Sequence, residues 1–383
     1  MIYLDWAATT PPDPAILKES LETAETYYAN PSSLHQPGNR AGKKLEELRK
    51  SCADLLCCRS GQLTFTSGGT ESNNLVLSAL LKRREKGRII ISGLEHPSLW
   101  EPAAALKPFG WEVKALNPDK DGRIRPEKLA RLLTDNTRMV IIMAVHNETG
   151  VIQPMEELIR TVREKENETG RTIHFHSDLV QTAGKTPFDL SAWDLDSASF
   201  SAHKIRGPRG IGLLYQKKPV AGIYTGGGQE RGIRPGTENL AGIAGLTAAL
   251  KKSAAPDLQA PSERMNRLID RIRTIPGARI LPESRSEHPE WYSPWILSCA
   301  LPPLPGEVLA RVMDEAGFAI STGSACSSNK KTRTRALESM GIDHKTAFSS
   351  IRISQGPLTT DEELDQFAKA LKEQAAIVGR AVR

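Results

Sequence analysis

Short β-branched and apolar runs recur along the first two thirds of the chain, separated by stretches whose apolar residues fall three and four apart. The runs are LTFTS at 63–67, RIIIS at 88–92, WEVKA at 111–115, MVIIMAV at 139–145, IHFHS at 173–177, DSASF at 196–200 and IGLLY at 211–215. Between the early ones, segments such as Thr70 to Lys86 and Met155 to Glu168 have the spacing of amphipathic helices. Seven strands joined by crossover helices predict an α/β fold on a mostly parallel sheet.

After Tyr215 the pattern changes. A Gly-rich stretch, TGGGQERGIRPGT, leads into an Ala-rich helix ending near Lys252, and the linker SAAPDLQAPS comes next. From about Glu263, helix and strand signals alternate through WILSCAL, FAIST and SSIRIS, and a helix closes the chain from Asp361 to about Val378. This predicts a large domain over residues 13–255 and a smaller α/β domain made by residues 1–12 and 256–383. A chain of 383 residues has room for both and for an enclosed site between them.

With 39% hydrophobic and 25% charged residues the composition is that of a globular protein. The longest apolar run, Met139 to Val145, is far short of the ~18 residues of a membrane-spanning helix, so no membrane crossing is expected. The start, MIYLDWAATTPPDP, lacks a basic-then-apolar leader pattern and reads as the mature N-terminus of a cytoplasmic protein. The net charge of +6 is dispersed among 45 acidic residues, which argues against direct nucleic-acid binding. One cluster, Lys330, Lys331, Arg333 and Arg335, is instead expected to dock an acidic partner.

Five cysteines form no paired spacing, so no disulfide framework is expected and a reducing compartment fits. Cys52, Cys57 and Cys58, on or beside the helical stretch EELRKSCADLLCC, read as small buried hydrophobes.

Candidate chemistry gathers at the ends of the predicted strands. In LTFTSGGTESNN a strand meets a helix through a small-residue turn, so free N–H groups at Gly69 and Thr70 can hold a phosphate against the helix dipole; a plain helix cap is the alternative. In DSASFSAHKIRGPRG, Lys204 comes after an apolar strand and precedes a Gly-Pro turn. A positioned, desolvated amine is what Schiff-base chemistry requires, and Ser201 and His203 lie beside it to donate to the same phosphate. IHFHSDLVQTAGK places His174, His176 and Asp178 on one strand face. Either they ligate a metal, or Asp178 bonds a protonated pyridine nitrogen while Gln181 reaches the ring hydroxyl. His96, after RIIIS, can stack on an aromatic ring or shuttle a proton. Asn147, after MVIIMAV, can donate to a substrate carboxylate, and Arg352 in SSIRIS offers a forked donor pair for the same group. Cys326 lies in STGSACSSNKK among residues too small to fix it by packing, beside bases that favour thiolate.

These segments resemble the NifS/IscS-like cysteine desulfurases, in the class V aminotransferase group of fold type I pyridoxal-phosphate enzymes. The resemblance rests on LDWAATT, NPSS, FTSGGTES, EHPS, HNETGVIQP, SDLVQTAGK, FSAHKIRGPRG, GGGQERGIRPGTEN, STGSACSS and SSIRIS, in the family's order over nearly the whole chain. It implies pyridoxal 5'-phosphate as cofactor, Lys204 as the Schiff-base lysine, Asp178 on the pyridine nitrogen and Gln181 on the ring hydroxyl. Gly69, Thr70, Ser201 and His203 would hold the phosphate, with Thr237 reaching across from the second subunit of a homodimer. His96 would stack on the ring, and Asn147 and Arg352 would hold the carboxylate of L-cysteine.

The reaction implied converts L-cysteine to L-alanine with a persulfide on Cys326. That sulfur would pass to an acceptor or scaffold protein, for iron–sulfur clusters or thio-modifications. The runner-up is a selenocysteine lyase, or an altered-specificity lyase of the same fold. Two positions depart from the family pattern: Leu179 stands where Ala usually packs under the ring, and Pro235 replaces the Ser of the RxGT turn, removing a hydroxyl and an N–H.

Overall fold

The computed structural model describes residues 1–220, 222–323 and 335–381. Among them are twelve strands: β1 (Ile2–Tyr3), β2 (Leu63–Thr66), β3 (Arg88–Ser92), β4 (Glu112–Leu116), β5 (Thr137–Ile141), β6 (His174–Asp178), β7 (Ser197–Ser201), β8 (Gly212–Gln216), β9 (Arg279–Leu281), β10 (Ile296–Ala300), β11 (Phe318–Ala319) and β12 (Ser350–Ser354). β2 to β8 are the seven predicted strands, and they form one sheet in the order β2-β8-β7-β6-β5-β3-β4. Only β8 pairs antiparallel with its neighbours, so the other six run in one direction and deliver their C-terminal ends to one rim.

β3 and β5 are buried on both faces, as interior strands of a helix-covered parallel sheet must be, and this is why they read as near-continuous apolar runs. Alternate residues serve opposite layers. Ile90, Val140 and Phe175 join the core under the helices Gln36–Leu55 and Leu240–Lys252, whereas Ile89, Ile91, Met139 and Ile141 pack with Leu75, Leu99 and Trp111 on the other face. Most predicted strands of this sheet are met to within one residue, and two boundaries differ by more. The helix expected over Thr70 to Lys86 runs Gly69–Ser78 and tightens to a 3-10 turn over Ala79–Lys82. The fifth strand starts earlier, at Thr137, and past Ile141 its backbone stays pinned because the Ile142 and Ala144 N–H groups donate to the His176 and Asp178 carbonyls.

β12, β10 and β9 form a three-stranded antiparallel sheet, and its own core joins Leu297, Cys299, Ile351 and Ile353 to the helices Gln259–Arg273, Gly306–Glu315 and Asp361–Ala381. β1 pairs with β11, and the N-terminal segment then crosses to the large sheet. The Ser354 N–H donates to the Leu4 carbonyl and the Thr10 N–H to the His203 carbonyl. The first ten residues therefore run between the two sheets.

Cys52 is buried against Thr247, as expected, but Cys57 is exposed in a left-handed turn after the helix, because the helix ends at Leu55. The Gly-rich stretch is anchored from within. Glu230, held in left-handed conformation, accepts both Arg49 guanidinium nitrogens at 2.8 Å and the Phe65 N–H at 2.9 Å, with both side chains almost fully buried. Removing one partner of such a pair strands a buried charge, so Arg49→Met is expected to lower stability by about 3–5 kcal/mol. A urea-unfolding midpoint unchanged from wild type would show that the pair is dispensable.

Candidate active site

The C-terminal rim of the large sheet closes, with the N-terminal segment and β12, around a cavity of about 220 Å³. Five of the sheet's strands deliver residues at or just beyond their C-terminal ends. Gly69 and Thr70 come after β2, His96 after β3, Asn147 after β5, Asp178 at the end of β6 with Gln181 beyond it, and Ser201, His203 and Lys204 at the end of β7. Arg352 enters from β12. Ten of the residues singled out in the sequence thus line one cavity. Thr237 does not: it is exposed and lies off this wall. Cys326, Lys330, Lys331 and Arg333 fall outside the described residues.

At the β2 end, the helix Gly69–Ser78 begins after Gly68, whose φ of 153° suits glycine. A Cβ at Gly69 would come within 2.7 Å of Val180 Cγ2, so only glycine leaves this approach open. The free N–H groups of that first turn, with Ser201 beside them, make an anion cradle. Opposite, Asp178 accepts from the Val180 N–H at 2.9 Å on one oxygen and from Asn73 Nδ2 at 2.9 Å on the other, which fixes the orientation of the carboxyl group. Lys204 Nζ donates to the Ala7 and Ala8 carbonyls, each at 2.6 Å. Gln181 Nε2 donates to the Ala7 carbonyl at 2.9 Å, and its Oε1 accepts from Lys185 at 2.7 Å.

His96 caps the helix Pro97–Ala105, with Nδ1 accepting from the Ser98 N–H at 3.1 Å, and burial pulls its pKa down. His203 contacts the Thr9 hydroxyl at 3.0 Å and is depressed to about 4, chiefly by burial. Arg352 pairs with Asp5 at 2.7 Å and donates to the Asn147 and Gly323 carbonyls. Its buried Nε has no partner among the described residues.

Two expectations are corrected, and one alternative loses its support. Leu179 does not line the cavity: it points into the core behind β6, and the next residue, Val180, lines the cavity instead. Arg335 is no part of a surface cluster. Its guanidinium donates to the Gly93 and Glu95 carbonyls at 3.3 and 2.5 Å, stacks over Trp100 and lines the cavity. The ring nitrogens His174 Nε2, His176 Nδ1 and His176 Nε2 are taken by Ser197 and Asn73, which leaves the metal reading without an aligned ligand set.

Sequence reasoning missed Asn73, Glu95, Glu148, Lys185 and the Ala7 and Ala8 carbonyls. All lie in motifs that point first to another residue, Glu95 beside His96 in EHPS and Glu148 beside Asn147 in HNETGVIQP. Glu148 and Glu95 line the cavity, each with one oxygen unpartnered among the described residues, and burial pushes them up to about 7 and about 8. Lys185, buried, falls to about 7 by the same cause.

An acid whose folded pKa exceeds its unfolded value binds its proton more tightly when folded. Stability therefore falls as pH rises from about 4.5 towards about 8 and levels off above. Glu95→Gln, neutral throughout, is expected to weaken that fall. Unfolding curves near pH 5 and near pH 8 read it, and parallel trends in both proteins would refute a neutral Glu95.

A small group carrying an anionic arm and a cationic ring nitrogen matches this donor set: the helix N-terminus at one end, the carboxylate at the other and a primary amine between. The comparisons agree. Residues 2–367 match the aminotransferase class-V family. The chain is 38% identical to a NifS/IcsS protein homolog of Lactobacillus delbrueckii subsp. bulgaricus over 97% of both chains. It is 33% identical to a cysteine desulfurase IscS of Methanosarcina thermophila, over 97% of this chain and 91% of that one. A solved NifS-like protein superposes with a TM-score of 0.88 at 34% identity, covering 98% of this chain and 99% of the other. The seven-stranded sheet with its rim cavity and the match along nearly the whole sequence lead to one conclusion: this chain belongs to the NifS/IscS cysteine desulfurases of the aminotransferase class-V family.

Proposed function

We propose that the protein is a pyridoxal-phosphate-dependent cysteine desulfurase that converts L-cysteine to L-alanine and leaves the sulfur as a persulfide on Cys326. The observation that carries this reading is the convergence of Lys204, Asp178 and the Gly69 helix N-terminus on one cavity. The relatives named above and a solved structure described as SspA in complex with cysteine, 28% identical with a TM-score of 0.80 over 94% of this chain, support the substrate.

The cofactor is pyridoxal 5'-phosphate. When bound, it supplies an electron sink for charge developing at the substrate Cα. Asp178 would hold its ring nitrogen, Gln181 its hydroxyl, and Gly69, Thr70, Ser201 and His203 its phosphate, while His96 would cover the ring. Arg352 and Asn147 orient the substrate carboxylate. Lys204 Nζ, held just beyond the end of β7, would take the substrate Cα proton. The Cys326 thiolate then attacks the substrate sulfur, forming the S–S bond as the C–S bond breaks, and the electron pair stays with the carbon that becomes the alanine methyl.

Residues 13–255 act as the cofactor domain and residues 1–12 with 256–383 as the smaller domain; the separate core around the three-stranded sheet supports that division. The enzyme works as a homodimer in which Thr237, exposed and off the cavity wall, completes the partner's phosphate shell. A sulfur-acceptor protein receives the persulfide. The four described cysteines are all free, which supports a cytoplasmic setting, and among the described residues no helix is long and apolar enough to cross a membrane.

Incubating the protein with cofactor, L-cysteine and a thiol reductant is expected to yield alanine and sulfide in equal amounts. Ammonia and pyruvate in place of alanine would instead mark an eliminating lyase.

A further inference from the structure

Behind Asp178 and His96 runs a buried chain of hydrogen bonds whose proton positions are dictated by its own chemistry. Asp178 Oδ2 accepts from Asn73 at 2.9 Å, so the Asn73 atom there is the amide nitrogen and the amide orientation is set. Its oxygen then faces His176 Nε2 at 3.0 Å, which must carry a proton. His176 Nδ1, left with a lone pair, takes the Ser197 hydroxyl proton at 2.8 Å, and Ser197 in turn accepts from His174 Nε2 at 2.7 Å. Burial keeps both imidazoles neutral, at about 3 and about 4.

The second amide hydrogen of Asn73 goes to Ser98 Oγ at 2.9 Å. Ser98 therefore spends its own proton on His96 Nδ1 at 2.8 Å, where the Ser98 backbone N–H also points. His96 can accept both only if its proton is on Nε2. One side chain, buried on the inner face of the helix Gly69–Ser78, thus ties both cofactor-facing groups to the sheet.

We propose that Asn73 is a positioning residue whose amide orients the Asp178 carboxylate and locks His96 as the Nε2-protonated tautomer. The inference rests on the reading of Asp178 and His96 as cofactor-facing groups.

The test uses the holoenzyme with 15N-labelled histidine and long-range proton–nitrogen correlations, His96→Asn supplying the assignment. In the wild type, His96 and His176 are expected to be neutral with the proton on Nε2. Ser98→Ala removes one of the two donors to His96 Nδ1, so that nitrogen's resonance should move while the pH midpoint of the cofactor's visible band stays. Asn73→Leu should move both, and lower kcat roughly 10-fold or more with little change in KM, as loss of an outer hydrogen-bond partner does at metal sites.

A proton on His96 Nδ1 in the wild type overturns the proposal. So does a His96 resonance unmoved in Ser98→Ala, or a cofactor midpoint unmoved in Asn73→Leu. If the wild type releases no alanine from cysteine, the reading of the reaction fails, yet the ring-nitrogen resonances still decide the tautomer.

Discussion

Lys204→Ala is expected to lose alanine formation on the order of 10⁴-fold and to lose the visible absorption of lysine-held cofactor altogether. The amine is placed, not mobile: β7 ends at Ser201, a 3-10 turn spans Ala202–Lys204, and two carbonyls of the N-terminal segment hold Nζ at 2.6 Å. No described neighbour can substitute. Lys185, a buried amine, is committed to Gln181. Borohydride reduction and then peptide mass analysis should find cofactor on the Lys204 peptide of the wild type and on no peptide of the variant. Alanine release at wild-type rate from Lys204→Ala would end the desulfurase reading.

Cys326→Ala is expected to abolish the protein-bound persulfide and to lower alanine release at least about 10²-fold, even with external thiol present. That is a small part of the advantage a tethered nucleophile has over one in solution. Cys326 lies outside the described residues, but the chain on both sides is tied to the cavity. Gly323, three residues before it, gives its carbonyl to Arg352 at 3.3 Å and passes so close to Glu148 that a Cβ there would meet Oε2 at 2.8 Å. Arg335, nine residues after it, is held on the Glu95 carbonyl. Alkylation of the wild type after one turnover with cysteine should trap the extra sulfur on the Cys326 peptide. Full alanine release by the variant, with persulfide on another cysteine, would move the acceptor role elsewhere. The exposed Cys57 is the first to inspect.

The class of fold and the identity of most cavity residues are readable in the chain because they are carried by local pattern. Apolar runs of strand length alternate with three-and-four spacing, and in a parallel sheet the residue after each strand necessarily falls on one rim. That rule alone brings Gly69, His96, Asn147, Asp178 and Lys204 together. What the pattern could not decide depends on side-chain direction and on partners distant in sequence. Leu179 and Val180 differ by one residue in a segment leaving a strand, and only the packing shows which of them faces the core. Arg335 reads as one more base in a cluster until a carbonyl 240 residues away and the Trp100 ring claim its guanidinium. Asn73 has no signal of its own, since a helical asparagine becomes a hub only when a carboxylate and an imidazole of one strand and a hydroxyl of a separate helix converge on one amide. Hydrogen bonds of that kind are satisfied in three dimensions and leave no period in the sequence.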